Sequence, residues 1–177
     1  MVNANTTISV TNGQYVVEGW TVVHHLLLTP YSLPHSAISI EAGVTAFSTD
    51  QASLGVGCQS DSGVQPPLAY QLVVYPDGQW YIEEGRIPGA VKTLDSGYGS
   101  PLVFTDTLQL TCAITNTTSD KETTQLVAYV NGSRVGAIGD QITRPFVDGY
   151  TPILVFGSFG PKVHAAYTGI TVRSFNP

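Results

Sequence analysis

The stretch YQLVVYPDGQWYI, Tyr70 to Ile82, decides the fold. Its centre, Tyr75-Pro76-Asp77-Gly78, reads as a type I turn: proline presets φ at the second position, aspartate tolerates the third, and glycine takes the left-handed site. That turn sets a hairpin register in which Tyr75 faces Gln79, Val74 faces Trp80, Val73 faces Tyr81 and Leu72 faces Ile82. Leu72, Val74, Trp80 and Ile82 then form one apolar face, while Gln71, Tyr75, Tyr81 and Glu83 occupy the other. A second hairpin follows in LVAYVNGSRV, Leu126 to Val135. Asn131-Gly132 is a two-residue loop of the type I′ kind, pairing Val130 with Ser133, Tyr129 with Arg134 and Ala128 with Val135. Leu126, Ala128, Val130 and Val135 point inward; Tyr129 and Arg134 point out together.

Working outward, the same period of two recurs. The 18 glycines and 11 prolines punctuate short apolar runs, and no long stretch keeps the 3.6-residue period of a helix. Strands are expected at Thr7–Val10, Gln14–Glu18, Thr21–Leu28, Ala37–Phe47, Ser53–Gln59, Ala69–Tyr75, Gln79–Glu84, Thr107–Ile114, Gln125–Val130, Arg134–Ile138, Ile153–Ser158 and Ala166–Phe175. That makes an all-β, two-sheet antiparallel sandwich of about twelve strands. In AISIEAGVTAF, Ile38, Ile40, Ala42, Val44 and Ala46 share the core face, opposite Ser39, Glu41, Gly43, Thr45 and Phe47. Near the C-terminus Ile170 and Val172 oppose Thr171 and Arg173. Gln59–Leu68 and Arg86–Pro101 read as loops, the second long for a simple connection. At 177 residues, one domain over 1–177 is the default.

Composition excludes several function classes. Seven basic against thirteen acidic residues give a net charge of -6, with no Lys/Arg cluster to neutralise a run of phosphates, so nucleic acid is not expected as a partner. The apolar run Val22–Leu28 is interrupted by His24 and His25 and falls far short of the ~20 residues of a membrane span. Met1 is not followed by a basic and then an apolar segment, so no signal peptide is read, and an exported protein would have lost its leader. The charged fraction is 11%, against roughly 25% in ordinary soluble proteins. Such a surface suits a secreted or cell-surface location.

The two cysteines, Cys58 and Cys112, are too few for a four-ligand zinc site. Cys58 shares its face with Leu54 and Val56, and Cys112 with Leu108, Leu110 and Ile114, so both sulfurs should point inward. They are either a disulfide or two buried free thiols. A bond would close a loop worth roughly 4 kcal/mol in the chain-entropy model.

GVGC (Gly55–Cys58), YQLVVYPDGQWYI, LQLTC (Leu108–Cys112), LVAYVNGSRVG with Asp140 shortly after, and TGITVRSF (Thr168–Phe175) occur in this order. The arrangement, spanning about Gln14 to Phe175, resembles the concanavalin A-like, laminin-G-like jelly-roll modules of bacterial exported proteins of actinobacterial type. The resemblance implies that Cys58 and Cys112 are a bonded pair. It specifies a fold more than an activity, because that fold hosts lectins, glucanases and protein-binding modules.

Catalytic and metal chemistry find little support in the residues. Glucanases of this architecture carry their acids in an alternating E-x-D-x-x-E run, which is absent here. Glu83 and Glu84 are adjacent and point to opposite faces, whereas glycoside hydrolysis needs two carboxyls ~5–10 Å apart on one side of the sugar. His24 and His25 likewise face opposite ways, and nothing brings His35 or His164 to them. Asp50, Asp61, Asp95, Asp106, Asp140 and Asp148 are dispersed, so no calcium site, metal or cofactor is expected. The sequons at Asn5, Asn116 and Asn131 bear on a eukaryotic host alone. The expectation is a non-enzymatic extracellular module binding a glycan, or alternatively a protein-interaction or sensor domain of a receptor or lipoprotein that binds an extracellular protein or peptide, with a glycoside hydrolase-like enzyme third. The binding surface is expected where the two hairpins share an outward face. Tyr75, Tyr81 and Tyr129 offer rings there, and Gln71, Glu83 and Arg134 offer hydrogen-bonding groups. Tyr129 with Arg134 would alone be an ordinary cation–π pair.

Overall fold

The computed structural model describes residues 6–19, 23–27, 36–47, 52–60, 67–86, 91–103, 105–143, 149–158 and 163–175. Its strands are β1 (Thr6–Thr11), β2 (Gln14–Gly19), β3 (Val23–Leu27), β4 (Ala37–Phe47), β5 (Ala52–Ser60), β6 (Leu68–Val74), β7 (Gln79–Arg86), β8 (Val91–Tyr98), β9 (Thr107–Thr117), β10 (Lys121–Val130), β11 (Ser133–Thr143), β12 (Tyr150–Ser158) and β13 (Val163–Ser174). They form a seven-stranded sheet, β1-β2-β13-β4-β9-β10-β11, and a six-stranded sheet, β3-β12-β5-β6-β7-β8. Every strand pairing is antiparallel. This is the expected two-sheet sandwich. Among the described residues no helix is long and apolar enough to cross a membrane. Thr21, Val22, Leu28, His35, Asp50, Asp61, Asp148 and Asn5 lie outside the described residues.

The first hairpin has the register its turn chemistry dictates, with Val74 opposite Trp80 and Leu72 opposite Ile82. The Gly78 N–H donates to the Tyr75 carbonyl at 2.9 Å, and Gly78 adopts φ 89°, the left-handed region where only glycine is free of a Cβ penalty. At the second turn Asn131 and Gly132 both have positive φ, as a type I′ loop requires. The Asn131 side chain also ties this turn to the start of β9, accepting from the Thr107 N–H at 2.9 Å and donating to Asp106 at 2.7 Å.

Two local expectations are corrected. Ala128 pairs with Gly136 and not with Val135, because the register shifts between Ala128 and Tyr129; a bulge admits one unpaired residue there. The segment read as a loop over 86–101 contains β8, which makes thirteen strands among the described residues. VKTLDSGY conceals it because the strand is exposed along most of its length and forms a sheet edge, where charged and small residues replace apolar alternation.

The core lies between the sheets. Ile38, Ile40, Ala42 and Val44 of β4 and Leu108 and Leu110 of β9 pack toward Leu54 and Val56 of β5, Leu72 and Val74 of β6, and Trp80 and Ile82 of β7. Cys58 on β5 and Cys112 on β9 are bonded across this layer, with Cα atoms 6.6 Å apart. Buried tyrosines add polar links. From β13, the Tyr167 hydroxyl donates to the Val155 carbonyl and accepts from the Gly55 N–H. From β6, the Tyr70 hydroxyl donates to Asp140 of β11 at 2.8 Å, and the Thr124 and Tyr150 hydroxyls are bonded to each other. Burial pushes the Tyr70 and Tyr150 phenols far up, so both remain protonated.

Candidate functional site

The structure divides the six residues expected to form one binding surface. Gln71, Tyr75, Tyr81 and Glu83 belong to the β6–β7 hairpin of the six-stranded sheet; Tyr129 and Arg134 belong to β10 and β11 of the seven-stranded sheet. Each set faces away from the shared core, so they lie on opposite outer faces of the sandwich.

The first set is a self-contained cluster. The Gln71 amide donates to Glu83 at 2.6 Å, and the Tyr75 and Tyr81 rings meet edge to face with centroids 5.8 Å apart. Gln71 is only 4% exposed, and Ala69, Val73, Ile153 and Val155 beside it form a buried apolar patch against which Tyr75 packs. Gly55 and Gly57 also face this side. A Cβ at either would lie 2.1 Å from the Leu72 carbonyl oxygen or 2.5 Å from that of Tyr70, so no side chain can stand there. Burial raises the Glu83 carboxyl above its ordinary 4.5, partly offset by the Gln71 bond. Burial, followed by the Glu83 charge, raises the Tyr75 phenol.

The Glu83 shift has a stability consequence. A carboxyl whose pKa is higher in the folded than in the unfolded chain favours folding when protonated, so its contribution diminishes as pH rises from about 4.5 upward. Glu83→Gln is therefore expected to raise the melting temperature at pH 7 and to leave it near the wild-type value below pH 4, as thermal scans at the two pH values would show.

The second set joins a larger array that the sequence reading did not assemble. Register places Thr171 of β13 opposite Glu41 of β4, Glu41 opposite Gln109 of β9, Gln109 opposite Tyr129 of β10, and Tyr129 opposite Arg134 of β11. Directly opposed residues share a face, so these five side chains form one row across five strands. Four interstrand steps of about 4.8 Å give it a length of roughly 19 Å. The adjacent row runs through Arg173, Ser39, Thr111 and Val127. Ser39, Glu41, Gln109, Thr171 and Arg173 line a small, shallow depression between the two rows. Its floor is organised by Ser39, whose hydroxyl oxygen accepts from the Gln109 amide at 2.8 Å and from the Thr111 hydroxyl at 3.2 Å.

Chemically, this face combines a phenol, an amide, a carboxylate, two guanidinium groups and several hydroxyls. The alternation in AISIEAGVTAF and in the C-terminal strand already set Ser39, Glu41, Thr171 and Arg173 on outward faces. What alternation does not contain is that β13, β4 and β9 are neighbours. Among the described residues no group of three or more His, Cys, Asp or Glu side chains is placed to hold a metal.

No family model and no curated protein matches the sequence. Solved structures do match in fold. The alginate lyase Aly36B superposes with a TM-score of 0.59 at 9% identity, covering 96% of this chain and 84% of that one. The alginate lyase vAL-1 from Chlorella virus gives 0.58 at 12% identity over 96% of this chain and 89% of that one. The laminarinase catalytic domain from Thermotoga maritima MSB8 gives 0.54 at 11% identity over 99% and 82%. These likenesses overturn the expectation that the chain is no enzyme. The missing E-x-D-x-x-E run argues against glycoside hydrolysis alone, whereas the fold is shared with two alginate lyases as well as a laminarinase catalytic domain. The chain has a concanavalin A-like jelly-roll fold.

Proposed function

We propose that this chain is a carbohydrate-engaging jelly roll, a single domain over residues 1–177 of the exported, laminin-G-like kind, acting outside the cell, with its glycan lying along the row Thr171–Glu41–Gln109–Tyr129–Arg134. The observation that carries this reading is the row itself. It offers a ring for stacking on sugar C–H surfaces, flanked by directed hydrogen-bonding groups on a rigid sheet. The ligand is an acidic polysaccharide. The whole chain carries seven Lys and Arg residues and a net charge of -6, yet two arginines, Arg134 and Arg173, stand on this face. Guanidinium groups match carboxylates in a bidentate fork. The names of the two alginate lyases of the same fold support a uronate ligand.

Titration with alginate oligosaccharides tests this. Tyr129→Ala and Arg134→Ala are each expected to weaken binding roughly tenfold, the scale of one lost charged hydrogen bond or aromatic contact. Tyr81→Ala on the opposite face is expected to leave it unchanged. Unaltered affinity in both row variants would sink the reading.

A specific feature favours elimination as the accompanying chemistry. The row holds one carboxylate, Glu41, and hydrolysis calls for two. In elimination from a uronate a base takes the C5 proton, the C4=C5 double bond forms and the C4–O bond breaks, the departing oxygen taking up a proton. Tyr129 takes the first proton and hands it to that oxygen, while the neighbouring Arg134 holds the sugar carboxylate. An ultraviolet signal from unsaturated uronate, lost in Tyr129→Phe, would verify this.

A further inference from the structure

We infer that Ser39 is a positioning residue that fixes the Gln109 amide, so that the floor of the groove selects a sugar face carrying two neighbouring hydroxyl donors. The inference rests on the glycan reading above and names the ligand feature read at its centre.

A serine hydroxyl has two acceptor lone pairs. Both are engaged at Ser39, by the Gln109 Nε2 at 2.8 Å and the Thr111 hydroxyl at 3.2 Å. Ser39 is 8% exposed, and its place on β4 between the buried Ile38 and Ile40 is set by the pleat. A nitrogen held at Ser39 places the Gln109 carbonyl oxygen on the far side of the amide carbon, directed away from Ser39. The side chain opposite Gln109 on the neighbouring strand is Glu41. Directly opposed positions bring Cβ atoms to about 5 Å, so an amide carbonyl and a carboxylate sit side by side on the floor of the depression. Both are acceptors.

Two acceptors at that spacing pair with two donors, and adjacent ring hydroxyls of a pyranose supply them. Arg173, opposite Ser39, and Arg134, at the end of the row, remain available for carboxylates on either side. The ligand class is therefore a uronate chain whose linkage leaves a vicinal diol free, as a (1→4) linkage does and a (1→3) linkage does not.

The probes are an alginate hexasaccharide and the same oligosaccharide methylated on its ring hydroxyls, which keeps the ether oxygens as acceptors and removes the donors. Wild-type protein is expected to bind the parent at least tenfold more tightly than the methyl ether. Ser39→Ala is expected to lose about the same factor for the parent with no further loss for the ether, and Ser39→Thr, which keeps the hydroxyl, to restore it. A general packing defect would instead weaken both probes. If wild type binds both probes equally, or if Ser39→Ala binds the parent as wild type does, the Ser39 inference fails while the glycan reading stands. If wild type binds neither probe, the uronate reading fails and this inference with it. The comparison of the two probes on wild-type protein stands even where a Ser39 variant does not fold.

Discussion

Replacing Cys58 and Cys112 together by alanine is expected to lower the unfolding free energy by roughly 4 kcal/mol, the chain-entropy value for a loop of this length. The sequence separation is 54 residues, so the cross-link removes a large share of the unfolded chain's freedom. Its location adds a second effect. The two sulfurs join the central region of both sheets and both residues are 0% exposed, so the variant also loses buried contacts that small residues do not replace. Against a total stability of about 5–15 kcal/mol for a typical domain, that is a substantial fraction. Urea unfolding should show a lowered midpoint for wild-type protein reduced in denaturant and then refolded with reductant, and one lower still for the double variant, which also lacks the buried sulfurs. An unchanged midpoint would mean that the sheets hold together without the bond.

The second large effect concerns the polar link near the β8–β11 side of the sandwich. Asp140→Ala leaves the Tyr70 hydroxyl, on a residue 0% exposed, without the carboxylate it donates to. A buried donor stripped of its acceptor costs about 1–3 kcal/mol. Tyr70→Phe removes the donor instead, and Asp140 retains Lys92 at 3.5 Å, so the cost should be well under that of Asp140→Ala. The Lys92 pair itself contributes little, since Lys92 is 65% exposed and exposed ion pairs are worth at most about 1 kcal/mol. Denaturation midpoints in the order wild type, Tyr70→Phe, Asp140→Ala would establish the asymmetry; equal losses for both variants would show that the hydroxyl finds another acceptor.

The Tyr70–Asp140 link also shows where sequence reading stops. Within a hairpin the turn determines the register, so Leu72 opposite Ile82 was legible from Pro76 and Gly78. Across strands far apart in the chain no such device exists. Tyr70 and Asp140 meet because β6 and β11 belong to different sheets facing one core. Thr171, Glu41 and Gln109 meet because β13 returns to lie beside β4. These neighbourhoods follow from strand order, a global property of packing that alternation does not encode. The same reason explains why the six residues expected on one surface do not share a face: each hairpin's outward face was legible, but the hairpins join different sheets. The strand β8 was missed for a different reason. An edge strand needs one partner and no buried face along its length, so Lys92, Asp95 and Ser96 carry no strand pattern. Cys58 and Cys112, by contrast, lie on core strands with strong alternation, which aimed both sulfurs inward before any partner was known.

The most direct test of the account is the footprint of an alginate oligosaccharide on the amide spectrum of isotope-labelled protein. Chemical-shift changes are expected at Glu41, Gln109, Tyr129, Arg134 and Thr171, with residues 69–83 of the opposite outer face unperturbed. Changes concentrated at Gln71, Tyr81 and Glu83, with the five-strand row silent, would contradict it.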